Sequence, residues 1–292
     1  MVAEHTPGPD HSIARGVDAG NRVAVRYPAT GAVPSVGAMS SRSLRTRRLC
    51  RDTGLLAVAL DHSTTDGSIV RSHSLDVLIG DLAGNGADAI ILHQGALRHV
   101  DPHWFVAMSL VVHLSASTVL GPDPDDKVLV GSVESAIRLG ADAVSVQLNL
   151  GSATEPSQLQ AMAKVARACD RWQIPLMAMA YARGPMVANP RDPEVVAHAI
   201  AVAVDLGADV VKTVCPSPVE DLEAIARLCP VPLLVAGGPM RPTANEVLAH
   251  VEDVMRFGAA GVAVGRNIFE AAQPGAMTRK IADVVHGRTC GR

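Results

Sequence analysis

Gly86-Ala87-Asp88-Ala89-Ile90 recurs as Gly140-Ala141-Asp142-Ala143-Val144 and again as Gly207-Ala208-Asp209-Val210-Val211, with Gly258-Ala259-Ala260-Gly261-Val262 as a weaker fourth copy. Each copy opens on a glycine suited to ending a helix in the left-handed conformation, passes through a small residue and enters a strand. Outward from these junctions, short apolar runs fall at 55–61, 88–94, 111–115, 142–149, 174–180, 209–214, 231–236 and 261–265. Most are separated by stretches long enough for a helix. Alternating strands and helices imply a parallel sheet, and eight β-then-α units close as a (β/α)8 TIM barrel, an α/β fold. Local signals agree. Asp192-Pro193-Glu194 reads as an N-cap followed by a proline and an acid in a first helical turn, and Ser217-Pro218-Val219-Glu220 has capping-box spacing.

The 292 residues divide into a leader, 1–40, rich in Gly, Pro, Ala and Ser and expected to be disordered, and a barrel domain, 41–292. Met39 begins a more regular segment and is a candidate alternative translation start. Hydrophobic residues reach 48% but aromatics only 2%, so the core is expected to be aliphatic. A net charge of −3 argues against a nucleic-acid protein. The five cysteines (Cys50, Cys169, Cys215, Cys229, Cys290) are scattered and form no CxxC pair, which points to a reducing cytoplasm. No apolar run has transmembrane or signal-peptide character, so no membrane partner is expected. Arg42, Arg45, Arg47, Arg48 and Arg51 could face an anionic partner; the plainer reading is the solvated face of a short helix packed under the barrel.

Active sites of such barrels lie at the carboxyl ends of the strands. The chain has only 4 lysines, and one of them, Lys212, closes the apolar run Ala208-Asp209-Val210-Val211-Lys212-Thr213-Val214. An amine in an apolar interior can be held neutral and attack a carbonyl, which a guanidinium cannot do. The alternative is a lysine that merely pairs with a carboxylate. Asp61, followed by His62, closes the first strand and could orient a hydroxyl or relay a proton, or simply cap the next turn. Tyr181 closes the fifth and could serve as acid or base, or pack with its hydroxyl satisfied. Gly237 and Gly238 follow the seventh strand, Gly265 and Arg266 the eighth, where backbone N–H groups and a guanidinium could hold a phosphate. Eleven histidines invite a metal reading, but His99 and His103 fall on a polar segment, with only His62 and His93 near the mouth; no metal is expected.

On Leu60-Asp61-His62, His113-Leu114-Ser115-Ala116-Ser117-Thr118, the stretch 138–145, Tyr181-Ala182-Arg183-Gly184, Val211-Lys212-Thr213, Ala236-Gly237-Gly238-Pro239 and Gly265-Arg266-Asn267, the chain resembles the archaeal-type class I aldolase family. That family includes fructose-bisphosphate aldolases and 2-amino-3,7-dideoxy-D-threo-hept-6-ulosonate synthases. Stretches 61–67 and 97–102 look closest to the branch of 2-amino-4,5-dihydroxy-6-oxo-7-(phosphooxy)heptanoate synthases of aminohydroxybenzoate biosynthesis. The resemblance implies a cofactor-free lyase joining dihydroxyacetone phosphate to L-aspartate 4-semialdehyde. It implies Lys212 as Schiff-base lysine, Tyr181 as proton-transfer residue, Asp61 as the carboxylate beside the reacting carbons, phosphate on Gly237, Gly238, Gly265 and Arg266, and a homo-oligomeric assembly. The chain departs from the family at Ala182, Gln147 and Gln94, where proline, histidine and lysine are usual, and in the loop Cys215-Pro216-Ser217-Pro218. The alternatives are an aldolase with other substrates, or a sugar-phosphate-binding protein without turnover.

Overall fold

The computed structural model describes residues 40–50, 53–70 and 74–287; the expected leader and the alternative start at Met39 lie outside the described residues. Eight parallel strands close into a barrel: β1 (Leu55–Ala59), β2 (Ala89–His93), β3 (Ser109–His113), β4 (Ala143–Leu150), β5 (Leu176–Ala182), β6 (Val210–Thr213), β7 (Leu233–Ala236) and β8 (Gly261–Val264). β1 closes the ring on β8, with Leu55 opposite Gly261. All eight coincide with the apolar runs of the sequence.

The helices are α1 (Ser41–Leu49), α2 (His62–Asp66), α3 (Leu75–Gly84), α4 (Val133–Arg138), α5 (Glu155–Trp172), α6 (Pro193–Asp205), α7 (Leu222–Leu228), α8 (Ala244–Arg256), α9 (Arg266–Phe269) and α10 (Pro274–Val285). Asp192 caps α6 as expected, accepting from the N–H groups of Glu194 and Val195. The capping-box spacing at Ser217 is not realised: the chain first forms a 3₁₀ turn, Val219–Asp221, preceded by Pro218, and α7 starts only after it. The β2–β3 crossover is also two 3₁₀ turns, Ala96–His99 and Pro102–Val106. Trp104 explains why so little suffices. Its ring lies against α3 at Gly80, where a Cβ would come within 2.6 Å of it, and its Nε1 donates to Asp76 Oδ1 at 3.0 Å. Among the described residues no helix is long and apolar enough to cross a membrane.

The repeated Gly-Ala-Asp junctions do more than end helices. Gly86, Gly140 and Gly207 have φ of +95°, +84° and +95°, where a side chain would be strained. The aspartates then reach sideways to the preceding strand. Asp88 accepts from Leu56 N–H at 2.8 Å, Asp142 from Leu110 N–H at 2.9 Å and Asp209 from Leu176 N–H at 2.7 Å. Each even strand thereby clasps the odd strand before it. The fourth copy has Ala260 in that position, and there the backbone alone joins β7 to β8 through Ala260 N–H and Leu233 O.

Alternation along the strands separates two cores. Outward residues pack against the helices. Inward residues, among them Leu55, Ala57, Ile91, Val111, Met177, Val210 and Leu234, fill the barrel. Leu49 of α1 joins this inner cluster at 1% exposure, so α1 stoppers the amino-terminal end. Arg42 binds Asp209 Oδ2 at 2.8 Å and Gly207 O at 3.1 Å, and Arg45 donates to Ala141 O at 3.1 Å. The arginine-rich segment is thus the underside of the barrel, as the plainer reading expects; Arg51 lies outside the described residues.

Asp209 serves both the β5 N–H and Arg42. Asp209→Ala should lower the free energy of unfolding in urea by roughly 1–3 kcal/mol, because it leaves the buried Leu176 N–H without its acceptor, while Arg42 keeps Gly207 O and Asp170; a loss under about 0.5 kcal/mol would show the clasp to be energetically idle.

Candidate active site at the carboxyl end of the barrel

The apolar filling of the barrel ends one tier below its mouth. Above it the inward positions turn polar: His93 on β2, His113 on β3, Ser145 and Gln147 on β4, Tyr181 on β5 and Lys212 on β6. Lys212 is 6% exposed and follows Val210 by two residues, so both point inward. Its strand partner is Met179, whose Sδ lies 3.9 Å from Nζ. The hydrogen-bond partner of this amine is therefore a thioether rather than a carboxylate. Tyr181 stands two residues beyond Met179 on the same inner face, also 6% exposed.

Asp61 sits just past β1 and is held among basic groups. His113 Nε2 lies 3.9 Å from Oδ2 and His62 Nδ1 lies 3.7 Å from Oδ1. Burial opposes ionisation of this carboxyl, but in acid, where His113 takes up its proton, the charge of His113, followed by those of Lys212, His62 and His93, outweighs burial and brings its pKa to about 2. Asp61 is a carboxylate at neutral pH, able to accept protons and hydrogen bonds but not to donate them. Oδ1 is buried and takes no hydrogen bond from the protein, as does His62 Nδ1.

His113 is 4% exposed, and burial pushes its imidazole down to about 3 despite Asp61. It is neutral and clamped between two hydroxyls, Nδ1 to Ser145 Oγ at 2.8 Å and Nε2 to Ser115 Oγ at 3.3 Å. Burial likewise lowers His93, whose Nδ1 is 3.2 Å from His113 O. Among the described residues no three His, Cys, Asp or Glu side chains are grouped to hold a metal ion, and His103 is engaged at the surface with Asp101.

On the other side of Asp61, the loops after β7 and β8 meet. A Cβ on Gly265 would fall 2.5 Å from His62 Cε1, and one on Gly237 3.0 Å from Val264 Cγ1. Glycine is thus needed at both for close packing. Gly238 has φ +74° and open space around it, so its need is conformational. Asn267 ties the two loops: its Nδ2 donates to Gly237 O at 3.2 Å and Pro239 O at 3.0 Å, and its Oδ1 accepts from Arg241 N–H at 2.9 Å. Arg266 is exposed at the start of α9. Because α9 is a single turn, its dipole adds little, and any anion here would rely on N–H groups and the guanidinium.

The sequence reading gave no role to Asn267, His113 or Lys127. Asn267 is 3% exposed and organises the glycine loops. His113 was legible from alternation, two residues beyond the inward Val111. Lys127 had no signal in the sequence, because only the folded loop carries it inward, to 8% exposure. That loop follows β3, anchored by a short antiparallel ribbon of Ser115–Ala116 with Val128–Leu129. Gln94 helps to fix it, donating to Val130 O at 3.3 Å and accepting from Ser135 Oγ at 3.0 Å. Gln147 donates to Asn149 Oδ1 at 2.9 Å. Beyond β5 the Arg183 guanidinium lies 4.7 Å over the Tyr181 ring. Gly184 follows at φ +134° and presses on the loop after β4, where its Cβ would come 2.0 Å from Gly151 O.

Residues 55–271 match the family described as DeoC/LacD family aldolase. A 2-amino-4,5-dihydroxy-6-oxo-7-(phosphonooxy)heptanoate synthase of Streptomyces griseus is 55% identical over 248 residues, covering 84% of this chain and 90% of its own. A 2-amino-3,7-dideoxy-D-threo-hept-6-ulosonate synthase of Halobacterium salinarum is 42% identical over 248 residues, 85% of this chain and 92% of its own. Among solved structures, an archaeal fructose-1,6-bisphosphate aldolase whose catalytic lysine is covalently bound to the carbinolamine intermediate superposes with a TM-score of 0.75. It is 26% identical, with 84% of this chain and 100% of that chain covered.

The lowered histidines set a pH dependence. With His113 at about 3 in the fold against an ordinary 6.5, the unfolded chain binds the extra proton between those values, so stability rises with pH across that window and falls as pH drops through it. Asp61 adds a further loss between about pH 4 and 2. His113→Gln should flatten the urea-derived stability slope between about pH 6 and 4 by up to roughly 1.4 kcal/mol per pH unit, with His62, His93 and His250 keeping the remainder. An unchanged slope would mean that His113 is protonated in the fold.

Proposed function

Because the chain belongs to the DeoC/LacD aldolase family, we propose that it joins dihydroxyacetone phosphate to L-aspartate 4-semialdehyde through a Schiff base on Lys212. It is a class I aldolase, a carbon–carbon lyase. The observation that carries it is the buried Lys212 amine, facing a thioether and lying in the same polar tier as Tyr181. An amine committed to a carboxylate would be a poor nucleophile, whereas this one is free of such a pair.

The substrates follow from the skeleton named for the Streptomyces griseus relative. Opening its C4–C5 bond by retro-aldol chemistry gives a three-carbon ketone phosphate and a four-carbon amino-acid aldehyde. Assembly runs the other way. The unprotonated Lys212 amine adds to the ketone carbon of dihydroxyacetone phosphate, and the carbinolamine loses water to an iminium. The cationic nitrogen acidifies the neighbouring hydroxymethyl carbon. Tyr181, with the Asp61 carboxylate nearby, moves that proton off the carbon, passing on its own hydroxyl proton as it does so, and an enamine forms. The enamine carbon attacks the aldehyde, a proton reaches the new alkoxide, and water cleaves the iminium to release product and lysine. Asp61 Oδ1, buried without a protein donor, is suited to accept a hydrogen bond from a donor hydroxyl. The phosphate is assigned to Gly237, Gly238, Gly265 and Arg266, with His62 packed on Gly265.

We read the barrel, residues 41–292, as one catalytic domain that assembles into a homo-oligomer in the cytoplasm. The described cysteines Cys50, Cys169, Cys215 and Cys229 are all free, in keeping with a reducing compartment.

Borohydride in the presence of dihydroxyacetone phosphate should fix a mass adduct on Lys212, and Lys212→Met should abolish both adduct and turnover. Tyr181→Phe should lower kcat by roughly 10²–10⁴. Product formation from dihydroxyacetone phosphate and aspartate semialdehyde should exceed cleavage of fructose 1,6-bisphosphate. An unmodified Lys212 under saturating donor would refute the covalent route, and a preference for the bisphosphate would refute the acceptor.

A further inference from the structure

We propose that Asp125, Lys127 and Arg183 form a subsite for the amino-acid end of the acceptor aldehyde, with Lys127 and Arg183 taking its carboxylate and Asp125 its ammonium. This rests on the acceptor reading above and adds to it the residues that would enforce it.

The three residues come from two loops that meet at the mouth. Arg183 stacks over the Tyr181 ring, and its Nη1 is 3.9 Å from Asp125 Oδ1. That exceeds the roughly 2.7–2.9 Å of a charge-assisted hydrogen bond, so both groups keep bonding capacity. Lys127 is buried, yet its hydrogen bond goes to a hydroxyl, Ser117 Oγ at 2.5 Å. An ammonium has three donors and ordinarily meets a carboxylate when buried. Burial and then the Arg183 charge lower its pKa, only partly offset by Asp125, Asp61 and Asp66. Lys127 thus gives its hydrogen bond to a hydroxyl and Arg183 reaches Asp125 only at 3.9 Å, which leaves both cations donors for a ligand carboxylate. The Arg183 guanidinium, 4.7 Å over the Tyr181 ring, places the subsite next to the catalytic tier.

The loop that carries Asp125 and Lys127 is built to hold its shape. Asp125 O accepts from Asn149 Nδ2 at 2.8 Å and from Gln158 Nε2 at 2.7 Å, and Asp125 N–H donates to Asp123 Oδ1 at 2.8 Å. Ser117 Oγ donates to Pro124 O at 2.5 Å. Such anchoring of the backbone at Asp125 presents its carboxylate in one position. A phosphate dianion would also be drawn to Lys127 and Arg183, but the Asp125 charge beside them opposes it. An α-amino acid carries both signs and satisfies all three residues.

The test uses the full chain with dihydroxyacetone phosphate and four aldehydes: aspartate 4-semialdehyde, succinate semialdehyde without the amine, 3-aminopropanal without the carboxylate, and glyceraldehyde 3-phosphate. The wild type should favour aspartate semialdehyde in kcat/KM by about tenfold or more over each of the others, the scale of one hydrogen bond to a charged group. Asp125→Asn should erase the advantage over succinate semialdehyde, and Lys127→Met the advantage over 3-aminopropanal. Borohydride trapping of the donor alone reports the fold of each variant, with Lys127→Gln as the substitute if Lys127→Met fails it. If the wild type favours aspartate semialdehyde but the variants lower all aldehydes by one common factor, this subsite is overturned and the acceptor reading stands. If the wild type traps the donor yet favours glyceraldehyde 3-phosphate, both are overturned.

Discussion

A closed parallel barrel leaves no strand edge, so its stability depends on how backbone N–H groups are satisfied where each ladder begins. In three of the eight strands this falls partly to carboxylates: Asp88, Asp142 and Asp209 each reach from the start of one strand to an N–H at or next to the start of its neighbour, those of Leu56, Leu110 and Leu176. The same bond fixes the stagger between the two strands. Stagger decides which residues reach the far end pointing inward, and so the clasps at the base govern the constellation at the mouth. Arg42 neutralises Asp209 from below and His286 contacts Asp88 at 2.8 Å, so these charges are not left bare under the core.

At the other end the protein gathers one carboxylate, one amine and several imidazoles, with His113 and Lys212 buried. Burial would ordinarily drive Asp61 to its neutral form. The surrounding basic groups reverse this as they become charged in acid, and at neutral pH burial keeps the His113 imidazole neutral. The result is a fixed negative charge among dipoles whose orientation is set by Ser115, Ser145 and the backbone. Such preorganised groups stabilise a developing cation without having to rearrange when it forms.

Much of this was readable in the chain itself. Strand periodicity, the glycine-aspartate junctions and the position of Lys212 at the end of an apolar run give the barrel and its centre, because they depend on local pattern. The aspartate's second task was hidden, since a sideways bond to Leu176 is a contact across 33 positions in the chain. Lys127 was hidden for the same reason: its loop folds in only when Asn149 and Gln158 seize the carbonyl of Asp125. Ser217 shows the opposite failure, a local signal that tertiary placement overrode with a 3₁₀ turn.

The contact between Gly151 and Gly184 has a bearing on how such a site could change over generations. With no room for even one carbon atom between these backbones, two adjacent rims are joined as a single rigid corner, and Arg183 rides on it. Its perch is held mainly by the Tyr181 ring beneath it and by its backbone N–H on Leu150 O, with Asp125 only at 3.9 Å. A lineage could therefore alter the charge at position 125, and with it the aldehyde admitted, while the guanidinium and the ring beneath it stay where they are. Substrate choice and scaffold would then be inherited as separable traits.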